Sequence, residues 1–168
     1  MKKLFLSCAL ALFGVVNAQQ NSVKFNPLAV FGGANMFSYE RAVSEHSAVG
    51  VGVGFSSYKI TDVEYNSIAG SLFYRYYFSE VLKRWYATGG VSYYSGKVKY
   101  DGDKDNYGSF AINGKFGYQW VWDSGFTLDL SGGLVYRTYT YDANSPDTSV
   151  LKASGIGPAF GFGLGYTW

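Results

Sequence analysis

Cysteine is all but missing from this 168-residue chain: the one thiol, Cys8, lies inside an N-terminal apolar run. A disulfide framework and a cysteine metal site are thereby excluded. Long apolar runs are missing too. Beyond that first segment nothing approaches the ~18 uninterrupted apolar residues of a membrane-spanning helix, so helical spans are excluded. Proline occurs three times and histidine once. What the chain does have is 22 glycines and 20% aromatics, far from the balance of an average soluble domain.

The N-terminal segment MKKLFLSCALALFGVVNA has the layout of a cleaved secretory signal: basic Lys2 and Lys3, an apolar run from Leu4 to Val16, and Val-Asn-Ala at 16–18. The run of 13 residues is short for a retained helical anchor, which needs ~20. Cys8 stands within the apolar run, and a lipoprotein assignment is set aside. Cleavage after Ala18 leaves 19–168 as one domain and removes two of the 14 basic residues, which equals the 12 acids. The basic excess therefore belongs to the export segment and gives no argument for nucleic acid.

Alternation organises the rest. Along 107–122, Phe110, Ile112, Phe116, Tyr118, Trp120 and Trp122 share one parity, while Ser109, Ala111, Asn113, Lys115, Gly117 and Gln119 share the other. A period of two puts these sets on opposite faces of a strand. The pattern recurs in 47–57, 66–78 and 126–140, and in the ending GPAFGFGLGYTW, where large apolar residues alternate with glycine and alanine. In 84–99, Trp85, Val91 and Tyr93 compete with Tyr86 and Tyr94 for one face. Long strands are expected at 47–59, 65–78, 84–99, 107–122, 126–140 and 150–168. The segment 24–43 is too long for one strand, and its GGAN at 32–35 is a hairpin signal, so it splits into two more.

Short connectors (SEHS, SEVLKR, DSG) interleave with longer polar ones (60–66, 101–108, 141–149). That order predicts an all-β, eight-stranded antiparallel up-and-down transmembrane barrel with its tight turns at one end and both termini on that side. The apolar faces turn outward, where water would not tolerate them and a bilayer requires them. Glycine, serine and alanine fill the narrow interior. Trp85, Trp120, Trp122 and Trp168 fall near the short-turn end, and Tyr65, Tyr100, Tyr107, Tyr139 and Tyr141 near the long loops, as two aromatic girdles.

With its signal segment, eight dyad segments and terminal Gly163-Leu164-Gly165-Tyr166-Thr167-Trp168, the chain resembles the small eight-stranded outer-membrane barrels typified by the OmpA membrane domain and OmpX. NPLAVFGGANMFSYERA resembles the first hairpin of uncharacterised outer-membrane barrel domains. The resemblance implies residence in the bacterial outer membrane, contact with its lipid and lipopolysaccharide, and a C-terminal signal (Gly163, Tyr166, Trp168) read by the outer-membrane assembly machinery. Gly161 departs from that signal, which usually carries a polar residue there. No soluble domain is expected after the last strand.

Chemistry rests on interior charge. Parity turns Glu40, Arg75, Lys115, Asp129 and Arg137 into the lumen, where unpaired charge is costly. A salt-bridge network plugging the barrel is expected, and a gated ion path is the alternative. DGDKDN at 101–106 has the acid spacing of a calcium loop, but Asn106 and Ile112 stand where its glycine and glutamate belong. Acids in the long loops suit weak bridging of divalent cations to lipopolysaccharide. His46, within Ser44-Glu45-His46-Ser47, is the one base available to a lipid A-modifying enzyme, and consecutive turn residues do not converge into a relay. The sequence thus points to a monomeric, non-enzymatic outer-membrane barrel, without cofactor or nucleic acid, whose role is structural or loop-mediated.

Overall fold

The computed structural model describes residues 20–29, 35–60, 63–100, 103–141 and 154–168; the signal segment 1–18 lies outside them. Eight strands follow in order: β1 (Asn21–Phe25), β2 (Phe37–Ala42), β3 (Ser47–Ile60), β4 (Val63–Tyr77), β5 (Arg84–Tyr100), β6 (Asp103–Val121), β7 (Phe126–Tyr141) and β8 (Gly155–Thr167). Each pairs antiparallel with its chain neighbour, and β8 returns to β1, closing the barrel. Stepping between paired residues from Lys24 in β1 through Arg137 in β7 to Gly155 in β8, and extending the β8–β1 register, returns to β1 ten residues further along. A shear of ten on eight strands tilts them by about 40° and leaves a bore that a few side chains can fill.

The alternation decides which side of the wall each residue occupies. Leu72 and Phe160 are 61% and 78% exposed on the outer surface, whereas Glu40 and Asp129 are 0% and 3% exposed inside. In β5 the competition resolves with Trp85, Val91 and Tyr93 outward and Tyr86 buried. Lumenal glycines let the walls approach the side chains that cross the bore: a Cβ on Gly117 would run into the Tyr86 ring and the Leu130 carbonyl.

Boundaries differ from expectation in three places. The connectors expected at 60–66 and 101–108 are largely strand, since Ile60 pairs with Val63 and Tyr100 with Asp103. Ladder pairing between residues of high strand propensity, such as Tyr58 with Tyr65, outweighs the polar character of these stretches. The first strand starts earlier than Lys24 and stops at Phe25. Pro27 has no N–H to continue a ladder, and the Asn26 side chain instead takes the Leu28 amide at 3.0 Å. The hairpin split between β1 and β2 holds, with residues 30–34 of its turn outside the described set.

Candidate functional site

Near the short-turn end, one level of the lumen is filled by ionised, hydroxylated and amide side chains from six strands. Lys24 of β1 reaches Glu40 Oε2 at 2.8 Å and Asp129 Oδ2 at 2.7 Å. Arg75 of β4 approaches the same two oxygens, at 3.3 Å and 2.5 Å. The remaining carboxylate oxygens are capped by tyrosines: Tyr77 donates to Glu40 Oε1 at 2.7 Å and Tyr86 to Asp129 Oδ1 at 2.5 Å. Gln119 joins them, accepting from Lys24 Nζ at 2.5 Å and Arg75 Nη1 at 3.2 Å. Two carboxylates thus face two cations. Such a buried set holds together only because nearly every charged atom also has a hydrogen-bond partner. The guanidinium of Arg75 lies over the Tyr86 ring, 4.1 Å from its centroid.

The floor beneath is closed by the β4–β5 turn. Leu82 is fully buried against Ala48, Tyr77 and Tyr86, and its carbonyl accepts from Gln119 Nε2 at 2.5 Å. It holds a left-handed backbone conformation, φ 64°, which costs a non-glycine residue about 1–2 kcal/mol. Below the ions, Thr127, Thr167 and Ser22 link hydroxyls across the seam at 2.7 and 3.0 Å.

Of the five charges expected in the lumen, the structure brings together Glu40, Arg75 and Asp129. Lys115 and Arg137 lie higher, outside the paired set. Lys115 has no carboxylate within ion-pairing distance among the described residues, and Arg137 packs its guanidinium 5.3 Å from the Tyr94 ring centroid. Lys24, Tyr77, Tyr86, Gln119 and Leu82 complete the buried layer and are not among the charges that parity alone points to. Gln119 already stands in the inward parity set of 107–122, and Lys24 is a lone cation between outward-facing Val23 and Phe25. Tyr77 and Tyr86 adjoin Tyr76 and Trp85, so runs of aromatics blur their parity.

Trp85, Trp120, Trp122 and Trp168 are all exposed on the outer wall near the short turns. Ring contacts join Trp85 to Phe116 at 5.3 Å and to Tyr118 at 4.9 Å, and Tyr118 to Trp120 at 4.5 Å. Tyr139, assigned to the opposite girdle, is corrected: it continues the lumenal row of Val135 and Arg137 on β7 and is half-buried. The side chains of Tyr65, Tyr100, Tyr107 and Tyr141 lie outside the described set. Gly163 is buried beside Lys24 and Asp129, while Tyr166 and Trp168 face outward with ring centroids 6.0 Å apart. The Trp168 carbonyl accepts the Gln20 and Asn21 amides at 2.7 and 2.9 Å, joining the start of β1 to the end of β8.

The residues around His46 engage different partners. Its Nδ1 lies 3.2 Å from the Tyr77 carbonyl, whereas the Ser47 hydroxyl bonds to that of Tyr74 at 2.6 Å. No hydroxyl–imidazole–carboxylate relay forms among these turn residues. Of the acidic hairpin, Asp101 and the side chains of Asp103 and Asp105 lie outside the described set; among the described residues no group of three or more His, Cys, Asp or Glu is placed to hold a metal ion.

No curated protein matches this chain, and no solved structure does. A family model described as "Protein of unknown function (DUF3575)" matches residues 4–168. With nearly the whole sequence covered, the chain belongs to the DUF3575 family.

Proposed function

We propose that this protein is an integral β-barrel of the bacterial outer membrane, monomeric and non-enzymatic, with a structural or surface-interaction role and a lumen blocked by its charged layer. One observation carries the reading. The large apolar side chains of the closed sheet are exposed on its outside, and the ions are buried on its inside. A protein dissolved in water arranges these the other way round, and a continuous apolar exterior of this extent needs hydrocarbon around it.

The tryptophan cluster near the short turns fits an interfacial belt, and the outward Tyr166 and Trp168 at the end of β8 fit a signal for the outer-membrane assembly machinery. The outer wall would contact lipid and lipopolysaccharide. The resemblance to the OmpA membrane domain and OmpX supports the same location.

The test combines fractionation with gel mobility. The protein should sediment with outer membranes, resist extraction by carbonate, and migrate differently before and after boiling. A processed chain that remains a soluble compact monomer without detergent overturns the proposal.

A further inference from the structure

The outer wall is not uniformly bulky. An apolar recess of about 790 Å³ lies on the outside of β2–β5, floored by Val49, Val51 and Gly89 and flanked by Tyr39, Leu72 and Tyr74. Hydrogen bonds hold both tyrosines in place: the Tyr39 hydroxyl donates to Asn21 Oδ1 at 2.7 Å, and that of Tyr74 bonds to Ser47 Oγ at 2.6 Å.

Glycine makes the upper end, where the backbone does not require it. Gly89 pairs with Gly114 across β5 and β6, and neither has a positive φ. A Cβ on Gly114 would meet nothing, and one on Gly89 only the Asn113 carbonyl at 4.0 Å. Any apolar side chain would fit there, so the hollow is open depth in a surface that hydrocarbon covers.

Arg41 stands at the lower end. Its neighbour Glu40 is buried in the lumen, so Arg41, the penultimate residue of β2, points out at the short-turn rim. A charge on the lipid face is tolerated near an interface and disfavoured at mid-bilayer. Arg41, Val49, Tyr74 and Gly89 are successive partners across four strands, which spans about 14 Å along the wall. With the strands tilted by about 40°, that row climbs roughly 9 Å from the rim, well into a leaflet whose hydrocarbon is ~15 Å deep.

A guanidinium at the rim and an apolar trough rising from it match one chemistry, a phosphodiester that carries an acyl chain. We infer that the recess retains one phospholipid, its phosphate on Arg41 in a charge-assisted pair and one acyl chain laid along Val49, Val51 and Gly89. A phospholipid is favoured over lipopolysaccharide because Arg41 is on the side of the tight turns, which face the periplasm in barrels of this class. The inference rests on the membrane-barrel reading and deepens it: general lipid contact becomes one retained molecule.

The test is native mass spectrometry of the detergent-purified chain with dioleoylphosphatidylglycerol, and with dioleoylglycerol, which has the chains but no phosphate. A single saturable phosphatidylglycerol adduct is expected, held at least tenfold less well in Arg41→Gln and in Gly89→Leu, with no comparable dioleoylglycerol adduct. Both substitutions lie on the outer wall and should keep the heat-modifiable gel shift that reports a folded barrel. The inference is overturned by no saturable adduct on folded wild type, by uptake unchanged in either folded variant, or by equal retention of dioleoylglycerol. Preference for lipid A, or a dimer of the chain that Gly89→Leu dissociates, overturns it as well. Any of these results, with the gel shift and outer-membrane sedimentation intact, leaves the membrane-barrel reading standing.

Discussion

Asp129 holds two cations with one oxygen and a tyrosine hydroxyl with the other. Removing its charge leaves Lys24 and Arg75 sharing Glu40 alone in a site that water does not reach. Asp129→Asn should therefore lower stability by about 3–5 kcal/mol, the usual result of breaking one side of a buried ion set. Urea titration of the folded gel band measures this. Lys115→Met, with no ion pair to break, should leave the midpoint unchanged or raise it. Leu82 works by packing: Leu82→Ala opens the floor beneath Tyr77 and Tyr86 and should cost about 2–5 kcal/mol, read in the same titration. At this scale the sequence identified Glu40, Arg75 and Asp129 through parity alone. It passed over Lys24, because five residues of β1 are too few to set an alternation against a background.

Closure depends on the smallest element. β1 contributes five residues, four of them paired to β8, and glycine lets β8 come in close. A Cβ on Gly165 would strike the Val23 carbonyl and stand 2.8 Å from Lys24 Cγ, whereas one on Gly157 meets nothing. Gly165→Val should abolish the compact unheated band, and Gly157→Val should retain it. The long strands show the converse. β5 and β6 span 17 and 19 residues, well beyond the ~9–11 that cross a bilayer. The outer parts of β4 and β6, within 60–66 and 101–108, read as loops from their turn-type composition, and cross-strand pairing is what makes such sequences extended.

The whole molecule presents an apolar wall around a polar, occupied bore. Tryptophan emission in vesicles should be quenched strongly by lipids brominated near the headgroup and weakly by those brominated near the chain end, because the four indoles gather at one rim. Equal quenching at both depths would place the rim wrongly. The proposed plug predicts silence in planar bilayers. Discrete conductance steps from wild type that vanish in Arg75→Gln would mean the ion layer is a gate. Replacing His46 with alanine should leave lipid A unmodified in both backgrounds, and a difference between them would make the turn catalytic.

What the sequence determined by itself was the two-sidedness of the long strands other than β5, the strand count and the antiparallel up-and-down order. These follow from a period fixed by covalent geometry, which each segment carries without reference to any other. What only the tertiary structure decided was which charges meet. Lys24 and Asp129 lie 105 residues apart, and their heights in the bore depend on the accumulated stagger around all eight strands. A shear of ten brings Glu40, Arg75 and Asp129 to one level with Lys24 and leaves Lys115 and Arg137 above it. That stagger is the sum of every turn and register, so no single segment contains it.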